Sequence, residues 1–297
     1  MRLRNPVITA AGTFGYGVEF AHLVDLNRLG GIVTKGISRE PIEGAPAPRV
    51  CETASGMLNA IGLQNIGVEA FVKTKLPVLQ KYNTPVFVNV FGYCIEDYLE
   101  VIHRLEDAEG ISAYELNISC PNVKKGGMQF GVSASAVQEV VGAARNAAKR
   151  RPLWVKLMPL VTDIQEIARA AELAGADALT IANTYPAMAI DVRAGRSKIG
   201  NEIGGLSGPA IKPITMRLVW AAQKAVKIPI VGLGGVESAE DVLEYMAVGA
   251  SAVQVGTASF ADPTCSERIV GRLERALREA NAFTVREVRD RFAAENG

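Results

Sequence analysis

Eight short apolar runs punctuate the chain, at residues 6–12, 31–36, 85–92, 113–120, 153–159, 178–184, 229–235 and 252–258. Most are followed by a stretch with helical spacing. Strands that alternate with helices predict parallel βαβ units rather than hairpins. The run Ile228-Pro-Ile-Val-Gly-Leu233 is apolar at nearly every position, as expected of a strand covered on both faces. Entry into the runs alternates between proline (Pro6, Pro85, Pro152, Pro229) and glycine (Gly31, Gly110, Gly175, Gly249). Proline is tolerated where a strand starts, and glycine suits the end of the preceding helix. Within 238–248, Val242, Leu243, Tyr245 and Met246 form one apolar stripe. Ser238 precedes that stripe, with Asp241 three residues later, and the pair predicts a helix N-cap.

Eight strands in 297 residues fit an α/β fold, a (β/α)8 TIM barrel with loops inserted at its C-terminal face. No linker divides the chain, so residues 1–297 are expected to form one domain. An open doubly wound sheet would carry Gly-x-Gly-x-x-Gly after its first strand, and Gly12-Thr-Phe-Gly-Tyr-Gly17 lacks that spacing. Two stretches exceed a minimal barrel: 37–64 after the second run and 185–213 after the sixth. Insertions at these strand ends build active sites.

Composition removes several classes of function. The net charge of +1 provides no bulk attraction for nucleic acid or an anionic membrane. No apolar run approaches the roughly 18 residues that span a bilayer. The N-terminus lacks the apolar stretch of a signal peptide, so a cytoplasmic protein is expected. The four cysteines, Cys51, Cys94, Cys120 and Cys265, form no Cys-x-x-Cys pair. Only two histidines occur, His22 and His103, both in helix-like segments where a solvated role is expected. That scarcity argues against a Ser-His-Asp triad and against a multi-histidine metal centre.

The C-terminal strand ends hold the candidate chemistry: Lys35, Asn89, Asn117 with Cys120, Lys156, Asn183 with Thr184, Gly234 with Gly235, and Gly256 with Thr257. Glycines at the seventh and eighth ends let backbone N–H groups approach a phosphate, although glycines also make ordinary tight turns. Lys35 and Lys156 each close an otherwise apolar run. An ammonium in a barrel mouth is costly unless an anion meets it, which points to an anionic ligand; a Schiff base on either lysine stays open. Asn59, Asn65, Asn117, Asn122 and Asn183 suit a planar amide- or imide-bearing ligand, or else simply make turns. Asn117-Ile-Ser-Cys-Pro-Asn122 sets Cys120 just beyond a buried strand. Lys124 and Lys125 follow and would lower the thiol pKa, so Cys120 is a candidate general base. Cys51, Cys94 and Cys265 are read as inert buried thiols.

On these residues the chain resembles the dihydroorotate dehydrogenases, in particular the FMN-binding catalytic subunit of the NAD-linked, two-subunit type. The resemblance runs along nearly the whole chain. It rests on Thr34-Lys-Gly36, Gly56-Met-Leu-Asn-Ala-Ile-Gly-Leu-Gln-Asn65, Asn117-Ile-Ser-Cys-Pro-Asn-Val-Lys124, Val155-Lys-Leu157, Asn183-Thr184, Gly204-Gly-Leu-Ser-Gly-Pro-Ala-Ile-Lys-Pro213, Gly232-Leu-Gly-Gly235 and Val255-Gly-Thr257. The continuation Asn122-Val-Lys-Lys-Gly-Gly127 is closer to the two-subunit type than to the fumarate-using one. The quinone-linked type usually has serine where this chain has Cys120.

The resemblance implies one FMN, held by Ala11, Lys35, Gly36, Asn89, Asn117, Lys156, Ile181, Gly208, Gly234, Gly235, Gly256 and Thr257. It implies dihydroorotate or orotate held by Lys35, Asn59, Ala60, Ile61, Gly62, Leu63, Asn117, Asn183 and Thr184. Cys120 would remove the C5 proton while hydride leaves C6 for the flavin. Lys156 would stabilise the reduced flavin, and Lys35 the substrate carboxylate. Electrons would then pass to NAD through a partner subunit carrying FAD and a [2Fe–2S] cluster, joined to a homodimeric core as a heterotetramer. This chain's own cysteines do not provide that cluster's ligands. No metal, nucleic acid or membrane is implied.

The chain departs from the family pattern at Ala11, often serine, and at Met158 and Leu160, which replace a serine and an asparagine. Ala187 replaces a usual glycine, and most of a leading β-hairpin is missing. Three rival readings follow from the same residues. A dihydropyrimidine dehydrogenase-like barrel shares the Cys-Pro motif but typically has histidine at the position of Asn122. A Schiff-base aldolase would use Lys156 as nucleophile. A non-enzymatic scaffold would have no need of Lys35, Asn117, Cys120 and Lys156 together.

Overall fold

The computed structural model describes residues 1–119 and 130–296. The loop expectations at Cys120, Asn122, Lys124 and Lys125 therefore lie outside the described residues. In chain order the strands are β1 (Val7–Thr9), β2 (Gly31–Val33), β3 (Val50–Thr53), β4 (Gly56–Asn59), β5 (Val86–Val90), β6 (Ala113–Asn117), β7 (Leu153–Lys156) and β8 (Ala178–Ile181). They continue with β9 (Tyr185–Ala187), β10 (Ile190–Asp191), β11 (Arg196–Ser197), β12 (Gly204–Ser207), β13 (Ile230–Leu233) and β14 (Ala252–Val255). Eight of them, β1, β2, β5, β6, β7, β8, β13 and β14, close into a parallel barrel. Each falls inside one of the eight apolar runs. Among the described residues, the runs reach further because their C-terminal residues leave the ladder and turn toward the barrel mouth.

Helices Ile95–Glu106, Ala134–Ala147, Ile164–Leu173, Lys212–Gln223, Ala239–Ala247 and Cys265–Glu279 coat the barrel. Between β1 and β2 only the short 3-10 turns Val18–Phe20 and Leu26–Arg28 stand in for a helix. The predicted cap is present: the Ser238 hydroxyl accepts from the Asp241 amide, and the Asp241 carboxylate accepts from the Ser238 amide. Val242, Leu243, Tyr245 and Met246 are all buried. Gly110, Gly175 and Gly249 adopt φ of 85°, 101° and 103°, the left-handed conformation that ends a helix without a Cβ penalty.

The barrel interior is layered. At the bottom Ile8, Val33, Phe87, Ala113, Trp154, Ala178, Val231 and Ala252 pack as one apolar cluster, with Phe87 stacked on Trp154 at 4.3 Å. Leu3 packs against this cluster, so the short N-terminal segment helps to cover the barrel floor. Above it lie buried polar side chains, Glu115, Thr180 and Gln254. Strand alternation then brings Asn89, Asn117 and Lys156 to the top. In the register Asn117 stands opposite Lys156, while Asn89 stands opposite Glu115 and Lys156 opposite Thr180, which joins the two polar layers.

The two insertions build one structure together. β3 and β4 come from the first, β9 and β12 from the second, and they pair as an antiparallel sheet in the order β3-β4-β12-β9. Asn59 stands opposite Gly205, and Leu206 opposite Tyr185. Leu58, Ala60 and Ile199 form a small core beneath this sheet, against which Ala187 packs, so the methyl of that departure is accommodated. The sequence showed two insertions but not their pairing.

His22 and His103 are exposed, as expected. Of the three described cysteines, Cys265 is buried and Cys51 half-buried. Cys94 is exposed, contrary to expectation, because it is the N-cap residue of Ile95–Glu106 at the barrel rim. Among the described residues no helix is long and apolar enough to cross a membrane.

Candidate active site

The barrel mouth opens into a cavity of about 450 Å³. That size suits a cofactor together with a small substrate. Its wall contains Ala11, Lys35, Gly36, Asn59, Ala60, Ile61, Gly62, Leu63, Asn89, Asn117, Lys156, Asn183, Thr184, Gly208, Gly234, Gly235, Gly256 and Thr257. The structure thus brings together residues that lie up to 246 positions apart in the sequence, from Ala11 to Thr257. Ile181 is not in the wall. Alternation along β8 turns Thr180 and Ala182 inward and sends Ile181 into the core shared with the helices; Ala182 lines the cavity instead.

The wall has distinct chemical zones. At the ends of β13 and β14 it is bare backbone. Gly235, at φ 68°, is held so close to Gly208 that an added Cβ would lie 2.9 Å from the Gly208 carbonyl oxygen. A Cβ at Gly256 would meet nothing closer than Ala10 and Leu233 at 3.7 Å, so that position faces open cavity. Backbone without side chains lets a phosphate approach the N–H groups. The glycine cradle and the two lysines fit a phosphate-bearing flavin nucleotide.

Lys35 is half-buried at the mouth, and its amide donates to the Gly15 carbonyl at 2.7 Å. Burial pushes its ammonium below the ordinary lysine value, and the nearby Arg49 guanidinium pushes it the same way. An anionic ligand would relieve both effects. Lys156, 4% exposed, supplies a second ammonium deeper in the cavity.

The amides form the cavity floor. Asn183 Nδ2 donates to Ser119 Oγ at 2.7 Å, and Ser119 Oγ donates to Asn117 Oδ1 at 2.7 Å. Asn59 Nδ2 donates to the Gly205 carbonyl at 3.1 Å, tying the insertion sheet to the floor. Asn65 is different. It is buried and spends its amide on Ser38, the Leu63 carbonyl and the Gly67 amide, which is the turn-making role.

Sequence reasoning missed Thr13, Gln64, Tyr93, Ser207, Glu237 and Phe260, which also line the cavity. All lie one to a few residues past a strand end or within an insertion; Gln64 and Ser207 also fall inside the stretches 56–65 and 204–213 that carry the resemblance, a signal that could have found them. It also missed Glu115 below the floor, although a glutamate in the strand Ala113-Tyr-Glu-Leu-Asn117 stands out by its charge. Among the described residues no group of three or more His, Cys, Asp or Glu side chains could hold a metal ion.

Comparison with known proteins gives a consistent picture. The dihydroorotate dehydrogenase family matches residues 1–277. A Geobacter sp. (strain M21) protein named as the catalytic subunit of dihydroorotate dehydrogenase B (NAD(+)) is 51% identical over 285 residues, 96% of this chain and 93% of the relative. A Solibacter usitatus protein named for the A, fumarate-using type is 56% identical over 275 residues, 93% of this chain and 90% of the relative. Among solved structures, that of Eimeria tenella DHODH in complex with ferulenol superposes with a TM-score of 0.82 at 22% identity, covering 97% of this chain and 85% of the other. That last likeness is one of fold.

Proposed function

The chain belongs to the dihydroorotate dehydrogenase family, and we propose that it is an FMN-dependent catalytic subunit that oxidises (S)-dihydroorotate to orotate in pyrimidine biosynthesis. One observation carries the reading. A single cavity combines a glycine cradle for a phosphate, two ammonium groups and a floor of amides. Bound FMN would supply the acceptor for the hydride lost from C6.

The chain's own residues would do the rest. Gly208, Gly234, Gly235, Gly256 and Thr257 would hold the phosphate end, and Ala11, Gly36, Asn89 and Lys156 the ring system. Lys35 would pair with the substrate carboxylate; its depressed pKa means that the unliganded site gains from meeting an anion. Asn59, Asn117, Asn183 and Thr184, with the segment from Ala60 to Leu63, would orient the pyrimidine. Cys120 would take the proton from C5 on its sulfur, so that the C5–C6 double bond forms as the C6–H bond breaks.

The name "catalytic subunit" on several relatives supports a partner. The partner would carry FAD and a [2Fe–2S] cluster and pass electrons to NAD, in a cytoplasmic heterotetramer built on a homodimer of this chain. The Solibacter relative favours a second reading, with fumarate as acceptor. The deciding experiment is anaerobic. The purified chain should show a flavin spectrum that bleaches on adding dihydroorotate. Reoxidation by fumarate alone would select the second reading, whereas reoxidation by NAD only with the iron–sulfur subunit present would select the first. A flavin that dihydroorotate leaves oxidised would count against the substrate. A chain that takes up no FMN would overturn the proposal.

A further inference from the structure

The floor amides are not independent of one another. Asn183 donates to Ser119, and Ser119 donates to Asn117. Asn117 Nδ2 points to Asn89 Oδ1 at a long 3.5 Å, and Asn89 Nδ2 donates to Glu115 Oε1 at 2.7 Å. Every link donates in the same direction, toward Glu115. The side chain of Glu115 is fully buried inside the barrel. Its other oxygen accepts from Thr180 Oγ1 at 2.7 Å and from Gln254 Nε2.

A carboxylate accepts and does not donate. Asn89 must therefore turn its NH2 down to Glu115 and its oxygen across to Asn117. The constraint then passes along the chain. Asn117 Oδ1 is taken by the Ser119 hydroxyl, and Asn183 Oδ1 by the Thr184 amide at 2.8 Å. Asn89, Asn117 and Asn183 thus each have the side-chain oxygen engaged and one N–H beyond the relay. Together with Lys35 and Lys156, the floor is a field of donors.

We infer that Glu115 is a positioning residue that fixes the direction of this relay and so makes the cavity select a ligand rich in acceptor oxygens. The inference deepens the proposed function, on which it rests, because orotate carries a carboxylate and two ring carbonyls. It assigns the specificity to a charge that does not line the cavity.

Glu115→Gln tests it with almost no change of shape. Thr180 and Gln254 donate to the same oxygen, so they would keep the new carbonyl oxygen facing them. The new NH2 then faces Asn89, which must rotate and present its oxygen downward. Asn117 in turn would be driven to reverse. The measurement is orotate affinity by calorimetry on the FMN-loaded protein, with flavin content and Tm recorded alongside. The expected result is an orotate Kd raised about tenfold on the flavin-loaded fraction, the scale of one charge-assisted hydrogen bond; because Asn89 also lines the proposed flavin site, flavin content is recorded separately and orotate affinity is compared at equal FMN loading. Thr180→Val is the control. It removes a donor to the same carboxylate and leaves Glu115 able to anchor Asn89, so its orotate Kd should stay near that of wild type. A Glu115→Gln variant that binds orotate within twofold of wild type would overturn the inference. So would a Thr180→Val variant that weakens orotate equally, since the effect would then be general loosening. A wild-type protein that fails to bind orotate would instead sink the proposed function and carry this inference down with it.

Discussion

The Tyr245 hydroxyl donates to the Gly234 carbonyl at 2.7 Å. Tyr245 reaches the glycine cradle at the end of β13 from helix Ala239–Ala247, and it is fully buried. Its ring passes over β13 where Gly232 has no side chain; a Cβ there would lie 2.4 Å from the ring. Burial pushes the phenol far above its ordinary value, so it remains a donor. Tyr245→Phe keeps the ring and orphans the Gly234 carbonyl. The expected loss is about 1–3 kcal/mol of stability in urea unfolding. FMN affinity, read by flavin fluorescence titration, should fall several-fold because the cradle loses its brace. An unchanged FMN Kd would mean that the loop is held well enough without Tyr245.

Gly256 offers a cleaner separation of binding from stability. Its backbone is not in the left-handed region, and an added Cβ has no protein neighbour inside 3.7 Å. Gly256→Ala should therefore fold with a Tm close to that of wild type. The methyl would occupy space that the proposed phosphate end needs, so FMN content after purification should drop sharply. Gly235→Ala should instead lose both properties, because φ is 68° and the Cβ would press on Lys212 and the Gly208 carbonyl.

Lys35 should make the unliganded protein pay for its ligand preference. Its pKa is depressed by burial and by Arg49. Between that depressed value and about 10.4, the unfolded chain holds a proton that the folded chain has released. Stability linked to Lys35 therefore rises with pH through that window, and at lower pH the buried charge is a cost. Lys35→Met should raise the Tm of the ligand-free protein at neutral pH, with an advantage that shrinks as pH approaches 10. Orotate affinity should fall by about 30-fold or more, the scale of losing one member of a buried charge pair. A lower Tm for Lys35→Met at neutral pH would show that the ammonium is already compensated without a ligand.

The barrel was legible because its strands are buried on both faces and so read as apolar runs, with Pro or Gly at each entry. The pocket residues were legible wherever a polar side chain closes such a run, as at Lys35, Asn117 and Lys156. Three features were not. The sheet joining β3 and β4 to β9 and β12 rests on pairing between segments more than 140 residues apart, which local patterning does not encode. Ile181 was placed at the cavity although the period-two alternation of β8 sends it to the other face. Glu115 was passed over because its role comes through Asn89, a link that only the packed barrel makes.

The same cradle is braced from outside by Lys212 and Asp241. Lys212 Nζ bonds the Asp241 carboxylate and lies 2.7 Å from Glu244, and the Lys212 Cβ backs Gly235. Burial raises the Asp241 pKa, but bonds from Lys212 and the Glu237 amide outweigh it and hold the carboxyl below its ordinary range. A depressed carboxyl stabilises the fold above its unfolded pKa, and that contribution is lost as pH falls through the folded value. Asp241→Asn should therefore cost about 1–2 kcal/mol at pH 7, through the weakened cap and the broken bridge. The gap between wild type and variant should stay constant from neutral pH down to about 5, begin to shrink below about 4, where the unfolded chain takes up this proton, and close once pH has fallen below the depressed folded value. Thermal unfolding of both proteins across that range checks the sign. A gap that persists at pH 2 would show that the cost lies in side-chain packing rather than in the charge.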